Sequence, residues 1–332
     1  MSALNNRKGK LNNNKPLPPL TIPEIDIMIA ELKKGEDCRS GLTEHQSLSK
    51  AEINRKINEA SVRMKGFFQD IRSNGNMKLE TVQAIQTDIA PVILEAAKNP
   101  DIHYLFEQLQ ASKEYTYSHN IGVAIIATYI GRKLGFSKEN LSTLTLAATL
   151  HDVGKTRISE SVLEKRAKLT AAEYEEMKLH TIYGYELMKD IPGLPPSIAL
   201  SALQHHEREN GNGYPLRLKG NDIHHHSKIV AIADVFHAMS SDRVYQKAMP
   251  FYKVIEQMNR DMFDKFNPAI LMGFINQLMS TLVGKEVMLT NRQTGTVIMI
   301  NPYDPLKVLV NTETGIKDLR REEDCGIERI IG

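Results

Sequence analysis

Seven side chains in the middle of the sequence carry groups that bind divalent cations: His119, His151, Asp152, His180, His205, His206 and Asp234. Each sits on an apolar background at helical spacing. His119 shares a face with Val123, Ile126 and Ile130, His151 with Leu141, Leu144 and Ala148, and His180 with Met177, Gly184 and Leu187. His205 follows Ile198 and Ala202, His206 follows Ala199 and Leu203, and Asp234 lines up with Val230 and Ala238. Steps of three and four residues place side chains on one helix face, so five helices each direct a His or Asp inward. A single His on such a face is an ordinary core residue bonded to a carbonyl. Five imidazoles and two carboxylates together are harder to bury, because each unpaired buried polar group costs ~1–3 kcal/mol and a charged one more. Shared metal ions satisfy all of them at once.

Imidazole and carboxylate suit Fe, Mn, Zn, Ni or Co, and the absence of thiolates argues against a structural zinc knot. Seven ligands are too many for one ion. They leave open positions on two ions if one Asp bridges. Two divalent cations against two carboxylates leave a surplus that matches one hydroxide and one phosphodiester oxygen, the arrangement for in-line attack on phosphorus.

The elements that must position these groups are helical. Residues 1–20 carry Arg7, Lys8, Lys10 and Lys15 and a Pro-rich end, and read as a disordered basic tail. Residues 21–98 read as an N-terminal helical region of unknown role, with Ser49 and Glu52 as a capping box for a helix to about Ile71. Helical periodicity runs on through 99–280, which holds ten of the eleven histidines. From residue 281 to 332 the period changes to two: "EVMLT", "GTVIMIN" and "KVLVN" read as strands of a small antiparallel β appendage. With 41% apolar residues and no Trp, the chain supports an aliphatic core. A net charge of +2 gives no footprint for a nucleic-acid polymer. No apolar run is long enough to span a bilayer, and no leader is read at the N-terminus, so a cytoplasmic protein with Cys38 and Cys325 reduced is expected.

His119, "HDVGK" (151–155), His180, "HHE" (205–207), "GNGYP" (211–215) and "IAD" (232–234) resemble the HD-GYP domain, a branch of the HD superfamily of metal-dependent phosphohydrolases. The resemblance covers roughly residues 100–280. It implies a mainly α fold, an HD-type helical bundle, and hydrolysis of the bacterial second messenger cyclic di-GMP to linear pGpG and sometimes on to GMP. It implies two divalent ions, Fe or Mn first among them. His119, His151, Asp152 and Asp234 would hold one; Asp152 would bridge to the other, completed by His180, His205 and His206. Lys155 takes the position of the family lysine, either touching the bridging hydroxide or helping to protonate the leaving O3′; its ordinary reading is a surface lysine. Gly213, Tyr214 and Pro215 would shape the loop at the site. Arg243 and Lys247, four residues apart, could share a helix face toward substrate, or form an exposed basic face. The run His224-His225-His226 splays by ~100° per residue on a helix and reads as a solvated helix start.

Some three-metal members carry a glutamate one turn before the first histidine; here Tyr115 stands there and Glu114 is one off, which favours two metals. The family often has Asp at the positions of Asn210 and His237, a basic residue at Gln246, and "KPGKLT" where this chain has "KRAKLT" (165–170). Other readings stay open: a phosphodiesterase for cyclic GMP-AMP or a mononucleotide, a non-hydrolytic sensor of cyclic dinucleotides, or a docking domain whose N-terminal helices contact a second copy or a signalling partner.

Overall fold

The computed structural model describes residues 50–99, 115–241, 249–322 and 325–331. The tail 1–20, residues 21–49 with Cys38 and Ser49, and Glu114, Arg243, Gln246 and Lys247 lie outside the described residues, as does the side chain of Tyr115.

The helices are α1 (Lys50–Asn74), α2 (Leu79–Asp88), α3 (Ala90–Ala96), α4 (Tyr115–Lys133), α5 (Lys138–Leu150), α6 (Glu160–Leu163), α7 (Ala171–Lys178), α8 (His180–Met188), α9 (Pro196–Gln204), α10 (His225–Ser240), α11 (Phe251–Arg260), α12 (Met262–Lys265) and α13 (Pro268–Ser280). A 3₁₀ turn, Val153–Arg157, follows α5. Ile53, Ile57, Ala60, Met64, Phe68 and Ile71 form the buried stripe of α1, at steps of three and four. That stripe lies on α4, where Phe68 meets Tyr117 edge to face at 5.8 Å.

Helix α4 is the hub. Residues 118–131 are buried, and α1, α3, α5 and α10 all pack on it. It ends at Gly135, whose φ of +76° suits a glycine, with the Phe136 amide bonded back to Gly131 O. Ser137 then caps α5 by accepting from Asn140 N at 3.2 Å. Between the two helices, Thr128 and Thr145 hydroxyls meet at 2.8 Å, so neither is left unpaired in the core. In "KRAKLT" the last residue, Thr170, is the N-cap of α7. Its hydroxyl accepts from Glu173 N, and the Glu173 carboxylate accepts from Thr170 N and Lys165 Nζ.

The C-terminal part is a five-stranded antiparallel sheet, order β4-β3-β2-β1-β5, of β1 (Glu286–Leu289), β2 (Thr294–Asn301), β3 (Asp304–Thr312), β4 (Gly315–Asp318) and β5 (Ile327–Ile330). Three of these match the runs read from sequence. β4 and β5 have four residues each, too few to show a period. The sheet packs on α11 and α13: Tyr252 hydroxyl donates to Leu306 O at 2.7 Å and Asn276 Nδ2 to Pro302 O at 2.9 Å. Cys325 is buried as a free thiol.

The 3₁₀ turn lies tight on α8. A Cβ on Gly154 would sit 1.9 Å from His180 O and 2.4 Å from Gly184 N, both backbone atoms that no rotamer change can move. Arg72 of α1 holds the same turn, donating to Lys155 O at 3.0 Å and Ile158 O at 3.1 Å. Gly154→Ala is therefore expected to destabilise the fold by at least ~2 kcal/mol. Gly273→Ala, on the exposed side of α13 with nothing within 4 Å of the new Cβ, should be neutral or add ~0.5–1 kcal/mol. Chemical denaturation of both variants checks the contrast; equal effects would refute the close-approach explanation.

Candidate metal centre

The helices stop where the chemistry begins. α5 ends at Leu150, leaving His151 as its C-cap and Asp152 outside the helical region at φ −101°, ψ 10°. α9 ends at Gln204, so His205 and His206 follow it, and a break at Leu179 makes His180 the first residue of α8. The expectation that each of these lies within a helix is corrected for His151, His205 and His206, which follow the last residues of α5 and α9; His119 in α4, His180 in α8 and Asp234 in α10 do lie within helices. The reason is geometric. Successive residues on a helix point ~100° apart, so the adjacent pairs His151-Asp152 and His205-His206 reach one centre only where the helix has ended.

Helix ends also supply free carbonyls. His151 Nδ1 donates to Ala148 O at 2.7 Å, His180 Nδ1 to Met177 O at 2.6 Å, and His205 Nδ1 to Ala202 O at 2.9 Å. A neutral imidazole with its proton on Nδ1 presents a lone pair at Nε2. All three Nε2 atoms turn toward Asp152: His180 Nε2 lies 3.3 Å and His205 Nε2 3.8 Å from Oδ1, and His151 Nε2 lies 3.4 Å from Oδ2. His119 Nε2 stands 3.9 Å from Asp152 Oδ2 and 3.0 Å from Asp234 Oδ1. Two groups of three donors, His180 with His205 and His206, and His119 with His151 and Asp152, have ligand atoms all within 4.8 Å of one another. The structure thus brings together all seven residues.

Their charge states suit cation binding. Burial pushes His180 down to about 4 and His205 down to about 3. Burial likewise lowers His206 and, against its bond to Asp234, His119. Asp152 is held well below the usual carboxylate range: burial opposes this, but the charge of Lys155 and the neighbouring histidines outweigh it. Asp234 is held low in the same way, by its bond to His119. His151 is raised, since the attraction of Asp152 outweighs its burial.

A cation fits this donor set. His180 Nε2 and His205 Nε2 face each other at 3.3 Å, and with both protons committed to carbonyls at Nδ1 the contact opposes two lone pairs. His151 Nε2 and Asp152 Oδ1 are buried without a hydrogen bond. Each such atom in a native core calls for an explanation, and a divalent ion provides it for all of them.

Lys155 is not a plain surface residue. Its Nζ lies 2.5 Å from Asp152 Oδ2, and its side chain is 24% exposed. Tyr214 stacks on the His206 ring at 4.7 Å, and its amide bonds to His206 O. Gly213 permits this: a Cβ there would lie 2.4 Å from Glu207 Cα. Sequence reasoning assigned no role to Glu207. Its buried carboxylate accepts from Leu216 N at 2.7 Å and Leu218 N at 3.0 Å, tying the loop to the end of α9. The place of Glu207 beside the histidine pair was the available signal. His237, noted only as a departure, is also buried; its Nδ1 lies 3.0 Å from His119 Nδ1 and 3.2 Å from Ser241 Oγ. Its ring is seated where a side chain on Gly122 would stand. Asn210 accepts from Asn212 N at 2.9 Å and so shapes the loop. Of the histidine run, His224 caps α10 by accepting from His226 N, as a helix start should, but His226 is buried, not solvated. Arg243 and Lys247 lie outside the described residues.

Comparison with known proteins agrees with this geometry. Residues 103–270, just over half of the chain, match the model of the HD domain family. Over 231 residues the chain is 27% identical to the cyclic di-GMP phosphodiesterase PA4108 of Pseudomonas aeruginosa, covering 70% of this chain and 55% of that one. It is 32% identical over 160 residues to 3′3′-cGAMP-specific phosphodiesterase 3 of Vibrio cholerae serotype O1, covering 48% and 35%. It is 44% identical over 124 residues to the cyclic di-GMP phosphodiesterase response regulator RpfG of Xanthomonas campestris pv. campestris, covering 37% and 33%. The chain thus spans between a third and about half the length of these relatives. Among solved structures, Bd1817, an HDG"Y"P protein from Bdellovibrio bacteriovorus, shares the fold with a TM-score of 0.52 at 16% identity, over 76% of this chain and 80% of that one. With its HD pair, its ordered ligand-type residues and its Gly-Tyr-Pro loop in place, the chain belongs to the HD domain family.

Proposed function

We infer that the chain is a metal-dependent phosphodiesterase that hydrolyses cyclic di-GMP to linear pGpG, and that GMP can follow. The observation that carries this reading is the convergence of imidazole Nε2 atoms on the buried carboxylate of Asp152, beside a loop that opens to solvent. His119, His151, Asp152 and Asp234 would hold one divalent ion, and Asp152 with His180, His205 and His206 a second. Fe or Mn is the expected metal: the imidazoles suit Fe, and the carboxylates of Asp152 and Asp234 suit Mn. Bound there, such a pair would lower the pKa of a water and neutralise charge on the phosphodiester.

The chain's own residues do the rest. The main-chain carbonyls behind His151, His180 and His205 fix their tautomers, so no reorientation accompanies binding. Lys155 holds a proton within reach of Asp152 Oδ2, where it can steady an anionic phosphoryl oxygen or pass the proton to a leaving O3′. Tyr214, stacked on His206, forms one wall against water. A second messenger of the cell interior as substrate implies a cytoplasmic site of action. Cyclic GMP-AMP is the alternative substrate, favoured by the relatives named as 3′3′-cGAMP-specific phosphodiesterases.

Two outcomes test the reading. Protein purified without oxygen and loaded with Fe or Mn should release pGpG from cyclic di-GMP, and Asp152→Asn should lower kcat by at least about a thousandfold. Turnover by chelator-stripped protein, or equal turnover by the variant, would refute it. The second concerns His237, whose Nδ1 is the hydrogen-bond partner that orients His119. His237→Leu should weaken metal retention by about 10–100-fold while the unfolding midpoint of the stripped protein holds, and His237→Asp, which restores an acceptor, should recover it. Competition against a coloured chelator measures both.

A further inference from the structure

Beside the metal centre, α7 and the Gly-Tyr-Pro loop enclose an open cavity of about 690 Å³, lined by Tyr174, Glu175, Lys178, Tyr214 and Arg217 among others. We propose that this cavity is a subsite for a guanine base, the base whose phosphate would lie at the metal centre; the proposal rests on the phosphodiesterase reading above.

Four observations carry it. First, position: Tyr214 lines the cavity and stacks on His206 at 4.7 Å, so cavity and centre share a wall. Second, stacking surface: Tyr174 of α7 is a large ring left 50% exposed, across the cavity from this loop. A ring left open beside a site offers a surface on which a nucleobase can stack. Third, donors: Lys178 Nζ lies 5.5 Å from the Tyr174 ring centre and 5.8 Å from that of Tyr214, so a cation sits between two aromatic faces. Arg217 adds a second cation to the lining, at a φ of +56° that few side chains adopt without cause. Fourth, an acceptor: the exposed Glu175 carboxylate pairs with Lys178 at 2.7 Å.

A ring for stacking, cations and one carboxylate select among purines. Guanine offers O6 and N7 as acceptors to Lys178 or Arg217, and N1–H and N2–H as donors to a carboxylate. Adenine presents an acceptor at N1 and a donor at N6, which reverses the match at Glu175. The two cations would also attract a bare phosphate, but only a base makes use of the rings and of the Glu175 acceptor as well.

The test uses full-length, metal-loaded protein with Tyr174→Ala and Glu175→Gln, both on an exposed stretch of α7. Each should raise KM for cyclic di-GMP about tenfold with a much smaller change in kcat, consistent with one lost stacking or paired hydrogen-bond contact. Glu175→Gln should narrow the preference for GMP over AMP in calorimetric binding. An unchanged KM in both variants, or a KM that falls with Glu175→Gln because a repulsive charge has gone, overturns the proposal. GMP calorimetry scores the cavity without turnover. Wild type that cleaves bis(p-nitrophenyl) phosphate but not cyclic di-GMP would sink the substrate assignment alone; GMP binding lost in Tyr174→Ala would then still support the cavity, and GMP binding unchanged by either variant would sink it.

Discussion

A buried carboxylate ringed by imidazole lone pairs is the constraint on which the rest of the structure depends. Asp152 has almost no exposure, and burial favours the neutral form of His180 and His205 beside it. His180 and His205 have each committed their only proton to a main-chain carbonyl. They can neither bond to one another nor to Asp152 through Nε2. In a low-dielectric core this repulsion is costly. Lys155 compensates one oxygen of Asp152 and leaves the other facing His180 and His205. Added positive charge would satisfy the facing Nε2 atoms and the second oxygen of Asp152 together.

The scaffold around this core is arranged to end helices at the right place. α5 and α9 bring their C-terminal ends to the site, and with them the negative end of each helix dipole, which favours a cation. Their last carbonyls are the same ones that orient the rings. Close approach completes the arrangement: Gly154 lets the turn that carries Asp152 and Lys155 rest on α8, and Gly213 lets the loop rest on the His206-Glu207 backbone. In both places glycine is required by space, since neither has a positive φ. Arg72 links this turn to the N-terminal helix α1, so a disturbance of α1 would be felt at Lys155.

Much of this was legible in residue types and order. The seven donors, the helical period of the centre and the change of period near residue 281 are local patterns, and local patterns survive in a sequence. The helix ends were not legible. "LTLAATLHD" continues an apolar stripe through His151 with no Gly or Pro to stop it, and the stop comes from tertiary packing of the following turn on α8. His237 was visible only as an unexpected residue type, because its partner His119 is 118 positions away. Glu207 looks like any solvent-facing acid; its burial depends on a loop folding back nine and eleven residues later. The four-residue strands β4 and β5 gain their identity only from pairing with β3 and β1.

The two halves of the centre are held by different means. His151, His180 and His205 lean on backbone carbonyls, which are fixed by the helices that own them. His119 leans on another side chain, and His237 in turn is shared with Ser241 Oγ at the end of α10. A backbone carbonyl can only accept, so it dictates the tautomer of its histidine. An imidazole can donate or accept, so His237 dictates nothing by itself: with a proton on His119 Nε2 bonded to Asp234, His237 donates; with His119 Nε2 stripped for a ligand, His237 accepts. The His119–Asp234 half is thus bonded internally, at 3.0 Å, whereas His180 and His205 meet through two facing Nε2 atoms at 3.3 Å.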